Sequence, residues 1–145
     1  MTNFRCSRYI YLQNSSKMKI KVAITLFFGM IAIILGALGS HALKEVLSPE
    51  QLESFTVGVR YQMTHVLLLI VILLTSYFEE RVKLISFWLT VIGILLFSGS
   101  IYLLSLQEFI GVKLSFLGPI TPIGGLFLIL NWGFLGLKAL KNSSR

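Results

Sequence analysis

Two histidines and a few hydrogen-bonding side chains are the residues of this chain that could carry chemistry. The stretch "VGVRYQMTH" places Arg60, Tyr61, Gln62 and His65 directly before one of the most apolar runs of the sequence. Tyr61 and Gln62 precede His65 by four and three residues, so a helix would put them on one face. A neutral imidazole can bind a metal, relay a proton or make an ordinary hydrogen bond. The stretch is therefore either a structural anchor or part of a site.

His41, the second histidine, follows "GALGS" and in the simpler interpretation caps the end of the first apolar segment. His41 and His65 are a conceivable haem or metal pair, but their predicted depths differ by about 8 Å. No acidic residue is predicted inside the membrane to complete such a site, and Cys6 is the single cysteine. We therefore predict no metal and no cofactor. The sequence also has no nucleophile elbow, HExxH or P-loop, which disfavours an enzyme.

The composition is that of an integral membrane protein. The chain has 145 residues, of which 55% are hydrophobic and 13% charged, and its mean hydropathy is +0.82. A net charge of +7 could suggest nucleic acid, but the basic residues stand at the ends of apolar segments and form no aromatic-interleaved stripe. The predicted partner is the lipid bilayer, with a second copy or another membrane protein as further candidates. A small-molecule ligand is not identified, and nucleic acid is excluded.

Four apolar stretches are long enough to cross the hydrocarbon core, which needs about 20 residues of helix. These predicted spans are residues 22–39, 62–78, 84–106 and 120–137. The first could instead be a cleaved signal peptide, but its apolar run of about 18 residues is longer than the usual signal. The sequence thus predicts an all-α four-transmembrane-helix bundle in one domain, residues 18–141. Residues 1–17 are predicted to be a disordered tail or an upstream extension before a start at Met18, and residues 142–145 a tail.

The orientation follows from the distribution of basic residues, because cytoplasmic segments retain an excess of Lys and Arg. Of the 13 such residues, only Lys44, Arg60 and Lys113 fall on the side of the connections between spans one and two and between spans three and four. All the others flank the termini and the middle turn. Both termini are therefore predicted to be cytoplasmic, in a cell inner or plasma membrane.

The connection between spans one and two carries its own helix signal. Ser48, Pro49 and Gln51 fit an N-cap, a first helical position and a capping-box partner. Apolar residues at 52, 55 and 59 then form one stripe. The sequence predicts a short amphipathic extracytoplasmic helix here, which either bends at Gly58 or continues into the second span.

Helical rise places the polar residues of all four spans at one depth. If Phe78 marks the inner boundary, His65 lies about 20 Å above it. The fourth span begins through "GPITPIGG", either a plain helix start or a broken helix beside a site. The resulting layer, in the outer third of the membrane, is a hydrogen-bond knot or a binding site, with Arg60 as its surface anchor. Its predicted members are His41, Arg60, Tyr61, Gln62, His65, Ser98, Ser100, Thr121 and Pro122.

Small residues predict where helices approach closely. Ala32, Gly36 and Ser40 form a small-xxx-small stripe on the first span. Glycines on the third and fourth spans are predicted to serve likewise, and they are Gly93, Gly124, Gly125 and Gly133. Asn131, near the midplane, is expected to make an interhelical hydrogen bond.

The stretches "GALGSHALK", "FTVGVRYQMTH", "LFSGSIYLL" and "GPITPIGG" resemble the domain of unknown function 423 family, YwdK/YgdD-like small inner-membrane proteins related to transmembrane protein 256. The resemblance covers roughly residues 20–137 and implies a four-span membrane protein, with no established activity or catalytic residue. The function we expect is a non-enzymatic structural, accessory or partner-docking role. A small-molecule or proton transporter or channel is the alternative, and a haem or quinone binder is a weaker one.

Overall fold

The computed structural model describes the backbone of residues 2–142 and the side chains of residues 16–141. Within that range all regular structure is helical. The four long helices are α1 (Thr2–Ser40), α2 (Pro49–Leu74), α3 (Glu80–Leu106) and α4 (Ile120–Asn142), and single 3-10 turns occupy Leu43–Glu45 and Ser115–Leu117. Each long helix is apolar and long enough to cross a membrane. The predicted all-α bundle of four spans is confirmed.

Consecutive helices pack against one another in an up-and-down arrangement, α1 on α2, α2 on α3 and α3 on α4. The bundle therefore has two ends. We call the end with residues 16–21, 75–79 and 138–141 the terminal end, and the end with residues 41–48 and 107–119 the loop end. A hydrogen bond from Gln51 to Glu108, 2.7 Å long, ties the start of α2 to the turn after α3 at the loop end.

The start of α2 is the capping box that the sequence predicts. The Ser48 hydroxyl accepts from the Gln51 amide, and the Gln51 side chain accepts from the Ser48 amide, with Pro49 in the first turn. Phe55, from the predicted apolar stripe, is fully buried. The helix continues through Gly58 to Leu74, so the predicted extracytoplasmic helix and the second span are one element of about 39 Å.

The end of α2 lies one turn earlier than the sequence indicates. The span was predicted to reach Phe78, but the helix stops at Leu74 and Thr75 adopts an extended backbone. Tyr77 and Phe78 lie in the turn before α3, which begins at Glu80 rather than at residue 84, where the third span was predicted to begin. The Tyr77 hydroxyl donates to the Ala139 carbonyl, 3.1 Å away, and so fastens this turn to α4. Apolar composition alone conceals this helix end, because the aromatic residues continue the hydropathy of the span.

Two helices form the centre of the bundle and two flank it. Leu69 and Leu73 of α2 and Phe87 and Val91 of α3 are buried together and covered by apolar side chains of α1. On the other side, α4 completes two further clusters with α2 and α3 through Leu128 and Leu135. The outward faces of α1 and α4 carry most of their large apolar side chains, as expected of helices surrounded by lipid.

Two predictions about the termini stay predictions. The side chains of residues 2–15 and all of Met1 lie outside the described residues, so the predicted tail or upstream extension at 1–17 is not decided by the structure. The predicted tail at 142–145 lies outside them as well, apart from the backbone of Asn142, which ends α4.

Candidate functional site

Gln62 connects three helices at the centre of the predicted polar layer. Its side chain is 3% exposed, and its Nε2 donates to the Phe28 carbonyl of α1 at 2.7 Å. Its Oε1 accepts from the Tyr102 hydroxyl of α3 at 2.9 Å. Inside a membrane an unpaired amide has no water to bond, so both ends of the side chain must find protein partners. Gln62 has found them on the two helices that flank α2.

His65 is bonded through both nitrogens of its ring. Nδ1 lies 2.7 Å from the Tyr61 carbonyl, which can only accept, so Nδ1 carries the proton. Nε2 lies 3.2 Å from the indole nitrogen of Trp132 on α4, which can only donate. The two bonds define the neutral imidazole with the proton on Nδ1. No lone pair of the ring is left for a metal ion or haem unless one of these bonds breaks.

Ser100 and Thr121 form the third link of the layer, between α3 and α4. Their hydroxyl oxygens are 2.7 Å apart. The Ser100 hydroxyl can also donate to the carbonyls of Leu96 and Phe97 on its own helix. If Thr121 donates to Ser100, and Ser100 to its own helix, both protons are used. Ser98, one turn before Tyr102, is completely buried.

The other predicted members of the layer are not joined to it by side-chain hydrogen bonds. His41 lies exposed in the turn after α1, where its backbone N–H donates to the Ala37 carbonyl. Arg60 is exposed on α2, and Pro122 is exposed in the first turn of α4. Within residues 16–141 the ion pair present is Lys83–Glu80, so Arg60 has no carboxylate partner there. His41 and His65 therefore do not share a hydrogen-bonded site.

Tyr61 supports the layer through its ring and its backbone. Its ring lies 4.7 Å from the ring of Phe97 and stacks on His65 with centroids 6.0 Å apart. Its carbonyl is the acceptor that fixes the His65 tautomer. The hydrogen-bonding contribution of Tyr61 thus comes from its backbone, which the side-chain spacing does not reveal.

The layer is less uniform in depth than the sequence predicts. His65 is nine residues from the end of α2, about 13 Å along the axis, and Trp132 lies near the middle of α4. Ser100 and Thr121 are closer to the loop end. The helix that carries His65 ends at Leu74 and not at Phe78, and the placement of His65 in the outer third of the membrane stays a prediction.

The α3–α4 interface depends on two of the predicted glycines. A Cβ on Gly124 would lie 2.6 Å from the carbonyl carbon of Leu96 and 2.8 Å from the Cα of Phe97, both backbone atoms. A Cβ on Gly93 would lie 2.8 Å from Leu128 Cγ. Gly125 is in ordinary contact distance of the Phe97 ring. These glycines let the two backbones approach closely.

Gly133 differs from the other predicted packing glycines. Among the described residues nothing lies within 4 Å of the position that its Cβ would take, and the residue is exposed. Small residues therefore recur along α4 beyond the part of the helix that packs closely, and Gly133 lies outside the close contact.

On α1 the close-packed face is shifted from the predicted stripe. Ala32 is fully buried, and a Cβ on Gly36 would touch Val59 at 3.4 Å. Ser40 is exposed, and its hydroxyl donates back to the Gly36 carbonyl instead of packing on a neighbour. Gly29 and Gly39, which are not part of the predicted small-residue stripe, face Val66 and Phe55 of α2.

Asn131 makes the interhelical hydrogen bond that the sequence predicts. Its Nδ2 donates to the Thr90 hydroxyl of α3 at 2.9 Å, and Asn131 and Thr90 are both fully buried. The Asn131 Oδ1 and the Ser86 hydroxyl have no hydrogen-bond partner among the described atoms. A second polar contact therefore lies between α3 and α4, closer to the terminal end than Ser100 and Thr121.

Sequence reasoning missed three partners of the layer, the carbonyl of Phe28, the phenol of Tyr102 and the indole of Trp132. The phenol and the indole could have been predicted as hydrogen-bonding groups, because each is a polar group on an apolar span and needs a hydrogen-bond partner when it is buried. The carbonyl of Phe28 could not have been predicted, because any residue offers one. In residues 16–141 no three His, Cys, Asp or Glu side chains are close enough to share a metal ion.

These features define a multi-pass membrane protein with hydrogen-bonded polar side chains inside a four-helix bundle. The chain belongs to the family described as "Protein of unknown function (DUF423)", whose profile matches residues 35–125. The family resemblance of the four sequence stretches is confirmed.

Named relatives agree with this assignment. The UPF0382 membrane protein YwdK of Bacillus subtilis is 33% identical over 129 residues, which cover 86% of this chain and 98% of the relative. A UPF0382 membrane protein of Staphylococcus epidermidis is 36% identical, with the same shares covered. The UPF0382 inner membrane protein YgdD of Escherichia coli is 28% identical and covers 78% of this chain and 83% of the relative. No solved structure matches the chain significantly.

Proposed function

We propose that this protein is a non-enzymatic membrane scaffold, whose polar layer fixes the four helices relative to one another so that the bundle can dock a partner. The observation that supports this role best is the bonding of His65, whose two ring nitrogens are both engaged by protein groups. Gln62 is engaged at both ends in the same way. A site that awaits a ligand would leave some of these groups free.

The links also have the distribution that a scaffold requires. Gln62 joins α2 to α1 and α3, His65 joins α2 to α4, and the Ser100–Thr121 pair joins α3 to α4. Apolar side chains in lipid supply no directional preference between helices, because lipid tails are as apolar as leucine. Hydrogen bonds are directional, so they select one rotation of each helix about its axis.

We expect His65→Ala to lower the free energy of unfolding by about 2 kcal/mol, since it leaves the Trp132 N–H without an acceptor within the apolar span of α4. Thermal unfolding in detergent measures the loss. Thr64→Ala is the matched control, because Thr64 is the exposed neighbour on the same helix and its hydroxyl bonds only the Arg60 carbonyl. Trp132→Phe removes the same bond with the imidazole in place and should also destabilise.

The same variants distinguish a scaffold from a binding protein. We expect no haem, quinone or metabolite in a panel to raise the unfolding temperature of the wild type. A compound that stabilises the wild type, and no longer stabilises a well-folded His65→Ala, would contradict the scaffold role and support the transporter or cofactor-binding alternatives. The alternative of a broken helix at "GPITPIGG" finds no support in α4, which runs unbroken from Ile120 to Asn142.

The orientation that we propose places both termini in the cytoplasm, on the basis of the Lys and Arg distribution. Lys113 is exposed at the loop end and Lys138 is exposed at the terminal end. In a Cys6→Ser background, we expect Lys113→Cys to react with a membrane-impermeant maleimide in intact cells. Lys138→Cys, the matched control, should react only after permeabilisation. The reverse pattern would show that the termini are outside.

A further inference from the structure

A groove between α1 and α3 opens at the terminal end of the bundle, remote from the polar layer. Its volume is about 650 Å³. The helices α1 and α3 both pack on α2, and the groove lies between them, beside the buried cluster that contains Phe87. The lining residues are Lys17, Ile20, Lys21, Ile24, Glu80, Arg81, Leu84, Phe87 and Trp88.

The mouth of the groove is positively charged. Both walls contribute cations, Lys17 and Lys21 from α1 and Arg81 from α3. None of them has a carboxylate partner in the described part of the chain. Glu80 is the acidic residue of the lining, and its carboxylate is held at 3.1 Å by the ammonium group of Lys83. No carboxylate of residues 16–141 pairs with these three cations, so the mouth attracts an anion.

Below the mouth the walls are apolar. Ile20 and Ile24 line the α1 side, and Leu84 and Trp88 line the α3 side. Trp88 is 54% exposed and stands two turns into α3, about 12 Å from its start. In a bilayer this depth lies within one leaflet, so these side chains meet acyl chains. The basic mouth matches the anionic headgroup of a phospholipid, and the apolar walls below it match an acyl chain.

We propose that this groove binds an anionic phospholipid from the leaflet at the terminal end. The phosphate and the acidic headgroup lie against Lys17, Lys21 and Arg81, and one acyl chain lies along Ile24, Leu84 and Trp88. Basic pockets between transmembrane helices bind anionic headgroups in this way. The groove is separate from the layer around His65, so this inference stands or falls independently of the scaffold role.

The two tryptophans allow a direct test in nanodiscs of phosphatidylcholine. A low mole fraction of phosphatidylglycerol with brominated acyl chains is compared with the same fraction of brominated phosphatidylcholine. We expect the brominated phosphatidylglycerol to quench the fluorescence more strongly. The excess should vanish in Trp88→Phe, because Trp88 lies in the groove and Trp132 lies on α4 beside His65. Equal quenching by the two lipids would overturn the proposal.

Charge variants separate the groove from general attraction to an anionic surface. Arg81→Gln should weaken the apparent affinity for phosphatidylglycerol about fivefold, which corresponds to about 1 kcal/mol for one cation. The variant with Lys17, Lys21 and Arg81 all changed to Gln should lose the excess quenching. Its matched control changes Lys19, Lys138 and Lys141 to Gln, which removes the same charge from the same end of the bundle. An equal loss in the control would overturn the proposal.

A further arm tests whether the acyl chain is needed. In detergent, glycerol phosphate and inorganic phosphate should not raise the unfolding temperature at concentrations where phosphatidylglycerol does. If either anion stabilises the protein as well as the lipid does, the groove is a site for free phosphate and the lipid assignment is wrong. Circular dichroism and size-exclusion profiles confirm that each variant is folded before its binding is compared.

Discussion

We expect Gly124→Ala to destabilise the bundle by about 3 kcal/mol or more, the upper end of the range for overpacked interiors. The added Cβ would lie 2.6 Å from the Leu96 carbonyl carbon and 2.8 Å from the Phe97 Cα. A flexible side chain could rotate away, but backbone in the middle of α3 cannot move without shifting the helix. The α3–α4 interface would have to open along its length.

The fourth helix offers its own control for this substitution. Gly133 lies on α4 too, and among the described residues nothing is within 4 Å of its Cβ position. Gly133→Ala should therefore leave stability unchanged or raise it slightly, since alanine favours helix over glycine. Gly93→Ala should fall between the two, because the group that it meets is the Leu128 side chain, which can change rotamer.

Thermal unfolding in detergent measures the stability of the three glycine variants, and size-exclusion chromatography measures the yield of folded protein. The expected order of stability is Gly133→Ala, then Gly93→Ala, then Gly124→Ala. A Gly124→Ala protein as stable as Gly133→Ala would mean that α3 and α4 are farther apart than described. The same result would remove the basis for the hydrogen bonds between Ser100 and Thr121 and between Thr90 and Asn131, which need that approach.

Local signals in the sequence were enough to predict the helices. The capping box at Ser48 depends only on residues close to one another in sequence, and the structure contains both of its hydrogen bonds. Apolar runs likewise predicted four spans, because crossing a membrane depends on length and composition. The end of α2 at Leu74 was missed, since Tyr77 and Phe78 are as compatible with a span as with a turn at the interface.

The partners of the polar residues could not be predicted in the same way. Spacing places Gln62 and His65 on one face of a helix, but it does not say which neighbour each one meets. In the bundle Gln62 points to α1 and α3 and His65 to α4, so two residues one turn apart serve different interfaces. Equally, Gly124 and Gly133 look alike in sequence, and only the crossing of α3 and α4 distinguishes them.

The Gln62 hydrogen bonds give the second large effect. We expect Gln62→Leu to lower the free energy of unfolding by about 3 kcal/mol, because it leaves the Tyr102 hydroxyl without an acceptor in a half-buried place and removes the bond to α1. Tyr102→Phe should cost about 1 kcal/mol, since it removes one bond and keeps the ring that packs on Phe55. Thr56→Ala, an exposed site on α2, is the control.

A double-mutant cycle decides whether the two residues act as one unit. In the variant with both Gln62→Leu and Tyr102→Phe no phenol is left unpaired, so the combined loss should be smaller than the sum of the single losses by about 1 kcal/mol. Strict additivity would show that the hydrogen bond contributes nothing and that Gln62 acts through α1 alone. A non-additive result would establish that the Gln62 amide couples α2 to α3, which is one of the interhelical links that a scaffold built on this layer requires.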